Sequence, residues 1–127
     1  MGKKKNKHLE HYYRDHGQWR PIYVKVLESE AFLSLSFKAR CLLMLLQQHE
    51  YPNRNGQLGM SEKRAAKLLR CAPNTASKAF EELIDRGFII RSFDGDYTRG
   101  MASEWIITYL PYQGREPTNE WEEWPKK

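Results

Sequence analysis

The apolar positions of the chain recur at helical spacing most densely between residues 37 and 49. They fall on nearly every side of a helix, at Phe37, Cys41, Leu42, Met44, Leu45 and Leu46. A helix that is apolar almost all round is usually buried, so this pattern predicts a central core helix. The other interpretation is that one stripe of this helix meets a partner helix or forms a dimer seam.

A second helical pattern, interrupted by a proline, lies between residues 61 and 87. Ser61 is the predicted N-cap of its first helix. The apolar stripe of that helix is Ala65, Ala66, Leu68 and Leu69. Pro73 ends the first helix, because proline disfavours helical geometry in the residue before it. It suits the first turn of the next helix, where its missing amide costs no hydrogen bond. The second helix gathers its apolar residues on one face, at Ala76, Ala79, Phe80, Leu83 and Ile84. With Gly87 as its left-handed cap, the pattern predicts a helix-turn-helix.

Shorter patterns predict the remaining elements. Residues 57–60 indicate a short strand, and residues 88–92 and 104–110 indicate two longer strands joined through Asp94-Gly95, a strong hairpin signal. Alternating Ile22, Val24 and Val26 favour an extended segment before residue 28. One or two short helices are expected after it, with Ser34 or Ser36 capping the helix that follows. Residues 51–56 have the composition of a turn.

The helix-turn-helix region supports a family resemblance. The run AAKLLRCAPNTASKAFEELIDRGFI is similar to the DNA-reading half of bacterial winged helix-turn-helix regulators of the gluconate-repressor type. The resemblance implies an α+β, mainly α, fold: a winged helix-turn-helix with a three-helix core and a small β-hairpin wing. It also implies that Ala66 lets the two helices approach and that Leu69 and Cys71 flank the turn. The residues that such proteins use on DNA correspond here to Asn74, Thr75, Ser77 and Lys78.

The ends of the chain differ in composition from its middle. We expect a flexible basic arm at residues 1–18, the winged helix-turn-helix domain at residues 19–110 and a tryptophan-containing tail at residues 111–127. The SEW strand and the PTNEW tail are also similar to small helix-turn-helix proteins of proteobacterial genomes and mobile elements. Trp121 and Trp124 in this tail either pack on the same chain or anchor a protein partner. Trp19 is expected to cover the core.

Charge is distributed unevenly along the chain, whose net charge is +5. Residues 1–27 hold seven lysines and arginines against two acidic residues, and residues 61–92 hold seven against four. This basic excess favours a double-stranded DNA partner, with Arg64, Lys67 and Arg70 neutralising phosphates. Arg99, near the hairpin tip, is a further candidate contact, although Asp94 and Asp96 beside it would be repelled by DNA.

Several classes of protein are not expected. No apolar run approaches the roughly 20 residues of a membrane span, and no apolar stretch follows the N-terminal lysines as in a secretory signal, so a cytoplasmic, nucleoid-associated protein is predicted. Cys41 and Cys71 are expected to be reduced and buried. The histidines at positions 8, 11 and 16 lack the spacing of a metal site. No catalytic, metal or cofactor motif is present.

The sequence therefore predicts a sequence-specific DNA-binding protein, most simply a transcriptional regulator with residues 73–86 in the major groove. A plasmid or phage replication-initiation protein would use the same residues. The alternatives are a winged-helix module that binds protein through the tryptophan tail and an RNA-binding protein that uses the basic arm. A homodimer is left open, and an enzyme is not expected.

Overall fold

The computed structural model describes Gly17, residues 20–50 and residues 54–125. Five α-helices and a small three-stranded antiparallel sheet make this part of the chain an α+β structure. In chain order the elements are α1 (Val24–Leu27), α2 (Glu30–Leu33), α3 (Phe37–Gln48), β1 (Leu58–Gly59), α4 (Glu62–Leu69), α5 (Pro73–Asp85), β2 (Ile89–Phe93) and β3 (Glu104–Ile107). Turns of 3₁₀ helix lie at Tyr97–Arg99 and Glu120–Glu123.

Some predictions concern residues outside this range. The basic arm at residues 1–18, apart from Gly17, and the proposed cover by Trp19 both lie outside the described residues, as do residues 51–53 of the predicted turn. The longest helix in the described ranges is α5, with 13 residues. About 20 apolar residues are needed to span a bilayer, and no described helix meets that requirement.

Serine side chains fix the starts of three helices. Ser29, Ser36 and Ser61 each accept a hydrogen bond from the backbone amide three residues later, at 3.1, 3.2 and 3.1 Å. These contacts satisfy amides that have no partner inside the helix. They confirm Ser61 as an N-cap and decide for Ser36 over Ser34. The Ser36 amide and hydroxyl also donate to the Glu82 carboxylate on α5, at 2.8 and 2.7 Å, which joins the start of α3 to α5.

The sequence pattern predicts an extended segment before residue 28. The chain is instead helical from Val24 onward, so the prediction is wrong for these residues. The amide of Glu28 donates to the carbonyl of Val24 at 2.9 Å, closing the single turn of α1. Val26 is 1% exposed, whereas Val24 is 64% exposed. Only Val26 therefore enters the core. A helical turn can bury one valine and expose the other while its backbone groups bond to each other, so the segment needs no neighbouring strand.

α3 is the central helix, but the prediction that it is buried on nearly all sides is wrong. Leu42, Leu43 and Leu46 are at most 1% exposed and form the face that packs on α5. Phe37 is 79% exposed and Met44 is 66% exposed. No described element covers this second face. Cys41 also lies on it and is exposed, so the prediction that both cysteines are buried is wrong for Cys41; Cys71 is half-buried, and neither is in a disulfide.

The sheet has the strand order β1-β3-β2, with Leu58 opposite Trp105 and Ile89 opposite Ile107. The predicted short strand thus exists and pairs with β3 of the hairpin. The Trp105 ring stacks on Phe80 of α5 with 4.8 Å between ring centroids, and its indole N–H donates to the carbonyl of Met60 at 3.0 Å. Trp105 therefore joins the sheet to α5 and positions the hairpin against the helix pair.

The loop between β2 and β3 runs through Gly95 and a 3₁₀ turn, and a bridge between Asp96 and Met101 closes it. The predicted hairpin is confirmed. A Cβ at Gly95 would lie 2.7 Å from both the Met101 carbonyl oxygen and the Ser103 amide nitrogen. The glycine is thus required because the two arms of the loop approach closely.

The tryptophan tail packs on its own chain. Trp121 is 5% exposed, and its ring stacks against Phe88 with 6.2 Å between centroids. Gly87, which ends α5 with a φ of 81° as predicted, leaves room for this approach: a Cβ there would lie 2.7 Å from the backbone carbon of Glu120. Trp124 is half-buried, and the Arg86 guanidinium lies 5.0 Å from its ring centroid. Trp121 is therefore a core residue and is inaccessible as an anchor for another protein.

A small buried polar network supports the sheet from the side of α3. The Asn55 amide donates to the Ile107 carbonyl at 2.9 Å and its oxygen accepts from the Ile107 amide at 2.7 Å. The Tyr109 hydroxyl donates to the side-chain oxygen of Gln47, whose amide donates to the carbonyl of Pro21. Burial raises the pKa of Tyr109, so the hydroxyl stays protonated and remains a donor.

Candidate nucleic-acid interface

The turn between α4 and α5 joins the end of α4 to the start of α5. Arg70 ends α4 in the left-handed region with a φ of 54°, and the Cys71 amide donates to the Ala66 carbonyl at 3.0 Å. Pro73 then occupies the first turn of α5, where its missing amide costs no hydrogen bond. Ala65 and Ala66 are both buried, so that α4 lies close to α5, as the resemblance implied for Ala66.

The outermost stripe of α5 consists of polar and charged side chains. Asn74, Lys78, Glu81 and Asp85 follow each other at intervals of four, three and four residues, and all four are exposed. The opposite face is in the core and consists of Ala76, Ala79, Phe80 and Leu83. Ile84, assigned to the apolar face from the sequence, is 42% exposed. Of the predicted contacts, Asn74 and Lys78 are thus fully presented to solvent.

The other two predicted contacts on α5 lie at the sides of this stripe. Thr75 and Ser77 are half-buried. The Ser77 hydroxyl donates to the Glu62 carboxylate in the first turn of α4, at 3.3 Å. Ser77 is therefore already hydrogen-bonded to another residue of the protein. Glu62 places a negative charge at the edge of the polar stripe of α5. No sequence pattern predicts this pair, because the two residues are 15 positions apart and meet only when the two helices pack.

Arg64, Lys67 and Arg70 extend the surface onto α4. All three are exposed, and none forms an ion pair within the part of the chain that the structure describes. Lys63, which the sequence analysis did not select, is exposed in the same helix. The positive charges of these side chains are therefore exposed and not neutralised by an acidic residue of the described chain. Binding to a phosphate backbone requires such charges.

Arg99 lies on the hairpin loop and not on the helix pair. Its side chain is 77% exposed, and its Nε lies 3.7 Å from the Asp96 carboxylate. The Thr98 hydroxyl donates to the same carboxylate at 2.6 Å and holds the pKa of Asp96 below its ordinary value. Asp94 pairs with Arg91 at 3.6 Å. Each acidic residue of the loop is thus next to an arginine of the same hairpin, Arg91 in β2 or Arg99 in the loop, which reduces the negative charge that the hairpin presents.

One cavity beside the helix pair lies between the start of α4 and the base of the hairpin. It has a volume of about 270 Å³, and its charged lining residues are Glu62, Arg91 and Asp94. Across the described ranges, no group of three histidine, cysteine or carboxylate side chains is arranged to hold a metal ion. The exposed polar stripe of α5 and the cations of α4 are therefore the features of this region that can contact a large charged ligand.

Comparisons with models of known protein families, with curated proteins and with solved structures found no match. What this surface binds must accordingly follow from its own side chains.

Proposed function

We propose that this protein binds double-stranded DNA at specific sequences and acts as a transcriptional regulator in the cytoplasm, with α5 in the major groove. The observation that carries the proposal is the exposed start of α5, where Asn74 and Lys78 stand beside the unpaired cations Arg64, Lys67 and Arg70. The element order is compatible with a winged helix-turn-helix, in which α3, α4 and α5 form the core and the β2–β3 hairpin is the wing.

The side chains on the α5 stripe have the chemistry needed to read bases. The major groove is about 12 Å wide and admits one α-helix, whose N-terminal residues usually reach the base edges. Asparagine bonds adenine through two hydrogen bonds, and lysine donates to the acceptors of guanine. Thr75 and Ser77 flank these two residues and can donate to phosphates or bases once the helix is seated, Ser77 after leaving Glu62.

The acidic residues farther along the stripe define which end of α5 enters the groove. Asp85 lies 11 positions after Asn74, which corresponds to about 16 Å along a helix. Phosphates would repel its carboxylate, so α5 would enter with its N-terminal end foremost. Glu81 lies between Asn74 and Asp85 on the same stripe. A carboxylate is tolerated there if it accepts a hydrogen bond from the amino group of cytosine.

The cations of α4 give the proposal a quantitative test. If Arg64, Lys67 and Arg70 each neutralise one phosphate, the logarithm of affinity should fall with the logarithm of salt concentration with a slope of about −3. Replacing Lys67 or Arg70 with alanine should weaken binding to all sequences alike and reduce the slope by about 1. Lys25→Ala, an exposed lysine on α1, is the matched control and should leave the slope unchanged.

The decisive experiment selects bound fragments from random duplex DNA and then measures the variants on the selected sequence. Asn74→Ala combined with Lys78→Ala should remove the preference for that sequence over random DNA while the protein stays folded. Undiminished preference in this double variant would falsify the groove assignment. Failure to select any sequence, together with salt-independent binding, would reject the DNA-binding function itself. Tandem repeats in the selected fragments would instead favour the replication-initiation role.

A further inference from the structure

The exposed face of α3 is mostly apolar and has no charged residue of its own. The Arg40 guanidinium of α3 lies beside it, 5.6 Å from the Phe37 ring centroid. Phe37, Cys41, Met44 and Gln48 are its four outermost residues, and all four are exposed. By contrast, the exposed faces of α4 and α5 consist largely of charged side chains. An aromatic side chain has about 200 Å² of accessible surface, so Phe37 at 79% exposure leaves roughly 150 Å² in contact with water. Surfaces of this kind mark interaction sites more often than chance.

A groove borders this face and extends it. The groove has a volume of about 590 Å³, and Ile22, Leu27, Phe32 and Leu69 line it beside α3. Cys41, Met44, Leu45, Gln47 and Gln48 line it from α3 itself, and Arg20 is the one charged residue among its described lining residues. The exposed side chains of α3 and the groove next to them are therefore complementary in character: the side chains protrude, the groove is recessed, and both are mostly apolar.

The four exposed residues of α3 form a ridge and are spaced symmetrically about a midpoint between positions 41 and 44. Its residues follow at intervals of four, three and four positions, as in one seam of a coiled coil. When a helix with this spacing lies antiparallel to an identical helix, Cys41 faces Met44 of the second copy and Phe37 faces Gln48. A two-fold axis between positions 41 and 44 makes the same patch complementary to itself. We propose that a second copy of this chain binds here, with the two α3 helices antiparallel.

The charges on α3 favour this direction of pairing. Lys38 and Arg40 lie in the first turn of α3, and the six residues from position 43 to 48 carry no charge. Parallel helices would bring the two pairs of cations together, whereas antiparallel helices separate them to opposite ends of the seam. Both side chains are also held within the chain, Lys38 by the Leu69 carbonyl at 3.3 Å and Arg40 by the Leu33 carbonyl at 2.9 Å.

The size of the seam predicts a weak dimer. A helix of 12 residues is about 18 Å long, and a stable interface usually buries about 800 Å² on each partner. The ridge and groove together offer less than this, so association should be detectable at high micromolar concentration. The inference does not depend on DNA binding, although two associated copies would present two α5 helices to an inverted repeat.

Sedimentation equilibrium of the full chain measures the association. The average mass should rise from 15.1 kDa toward twice that value as the concentration approaches about 1 mM. Met44→Lys should weaken the association at least about tenfold, a change of 1.4 kcal/mol or more. Leu68→Lys, which alters a 49%-exposed leucine on α4, is the matched control and should associate like the unmodified chain.

Thiol oxidation in a Cys71→Ser background then tests the direction of pairing. A disulfide needs two Cα atoms within about 7 Å. In the antiparallel seam Cys41 lies level with position 44 of the second copy, whereas the two Cys41 residues are displaced along the axis by about 4.5 Å and should cross-link more slowly. Met44→Cys should cross-link rapidly through Cys41 of the second copy. Adding Cys41→Ser should slow the reaction to the rate of Cys41 alone, because the two thiols at position 44 are displaced by the same distance.

Three results would overturn the proposal. The first is a monomer at every concentration, and the second is association that Met44→Lys leaves unchanged. The third is cross-linking through Cys41 alone as fast as with Met44→Cys, because this would indicate parallel helices. Circular dichroism of each variant confirms that the exposed substitutions leave the fold intact.

Discussion

Replacement of Trp121 by alanine is the most direct test of whether the C-terminal tail belongs to the folded core. Trp121 is 5% exposed, stacks on Phe88 and donates its indole N–H to the Asn119 side chain at 3.1 Å. The backbone next to it fits against Gly87 at the end of α5. Removing the indole would therefore open a cavity between the tail and the start of β2.

The cost of this cavity can be worked out from the buried surface. Burying about 200 Å² of an aromatic side chain at about 25 cal/mol per Å² contributes roughly 5 kcal/mol. Residual compactness of the unfolded chain reduces this by 10–40%, to about 3–4.5 kcal/mol. Measured Trp→Ala losses in cores, about 3–5 kcal/mol, agree with this value. Since whole domains are stable by only about 5–15 kcal/mol, the variant should be close to unfolding.

Urea denaturation followed by circular dichroism measures the loss, and Trp124→Ala provides the control. Trp124 is three residues away and half-buried; it packs against the edge of the core, and the guanidinium of Arg86 lies over its ring. The cation–π contact contributes about 0.5–1 kcal/mol, and the half-buried ring removes less surface from water than Trp121 does, so this control should cost less. A loss below about 1 kcal/mol for Trp121→Ala, or equal losses for the two variants, would refute the placement of the tail in the core.

Two further predictions concern a glycine and a loop carboxylate. Gly87→Ala should lower the free energy of unfolding by more than about 1 kcal/mol, since the residue has a φ of 81° and a Cβ would lie 2.7 Å from the tail backbone; urea denaturation measures this, and unchanged stability would contradict the close approach. Thr98→Val should raise the pKa of Asp96, because the lost hydroxyl is the main group that lowers it. A lowered pKa stabilises the fold above the ordinary aspartate pKa, and this contribution disappears as the pH falls through the lowered value. Nuclear magnetic resonance titration of the Asp96 carboxyl carbon follows the change, and an unshifted midpoint would contradict the assignment.

The sequence by itself determined the elements that local geometry controls. Ser61 and Gly87 fix the ends of the helix pair, because a hydroxyl cap and a left-handed glycine act on backbone groups only a few residues away. Pro73 separates the two helices for an equally local reason. The order of the elements from α3 to β3, including the short β1, could be predicted on the same basis, whereas the turn of α1 could not. The candidate contacts Asn74 and Lys78 followed as well, since helical spacing alone places them opposite the apolar face.

Only the tertiary structure decided which apolar surfaces are covered and which polar groups meet. Periodicity shows that α3 has apolar residues all round, but the exposure of Phe37 and Met44 depends on which distant elements pack against it. The contact of Ser77 with Glu62 and the burial of Trp121 beneath the start of β2 likewise join residues that are far apart in the chain. Such contacts form only after the elements pack, because their energy comes from excluding water between surfaces that no local pattern brings together.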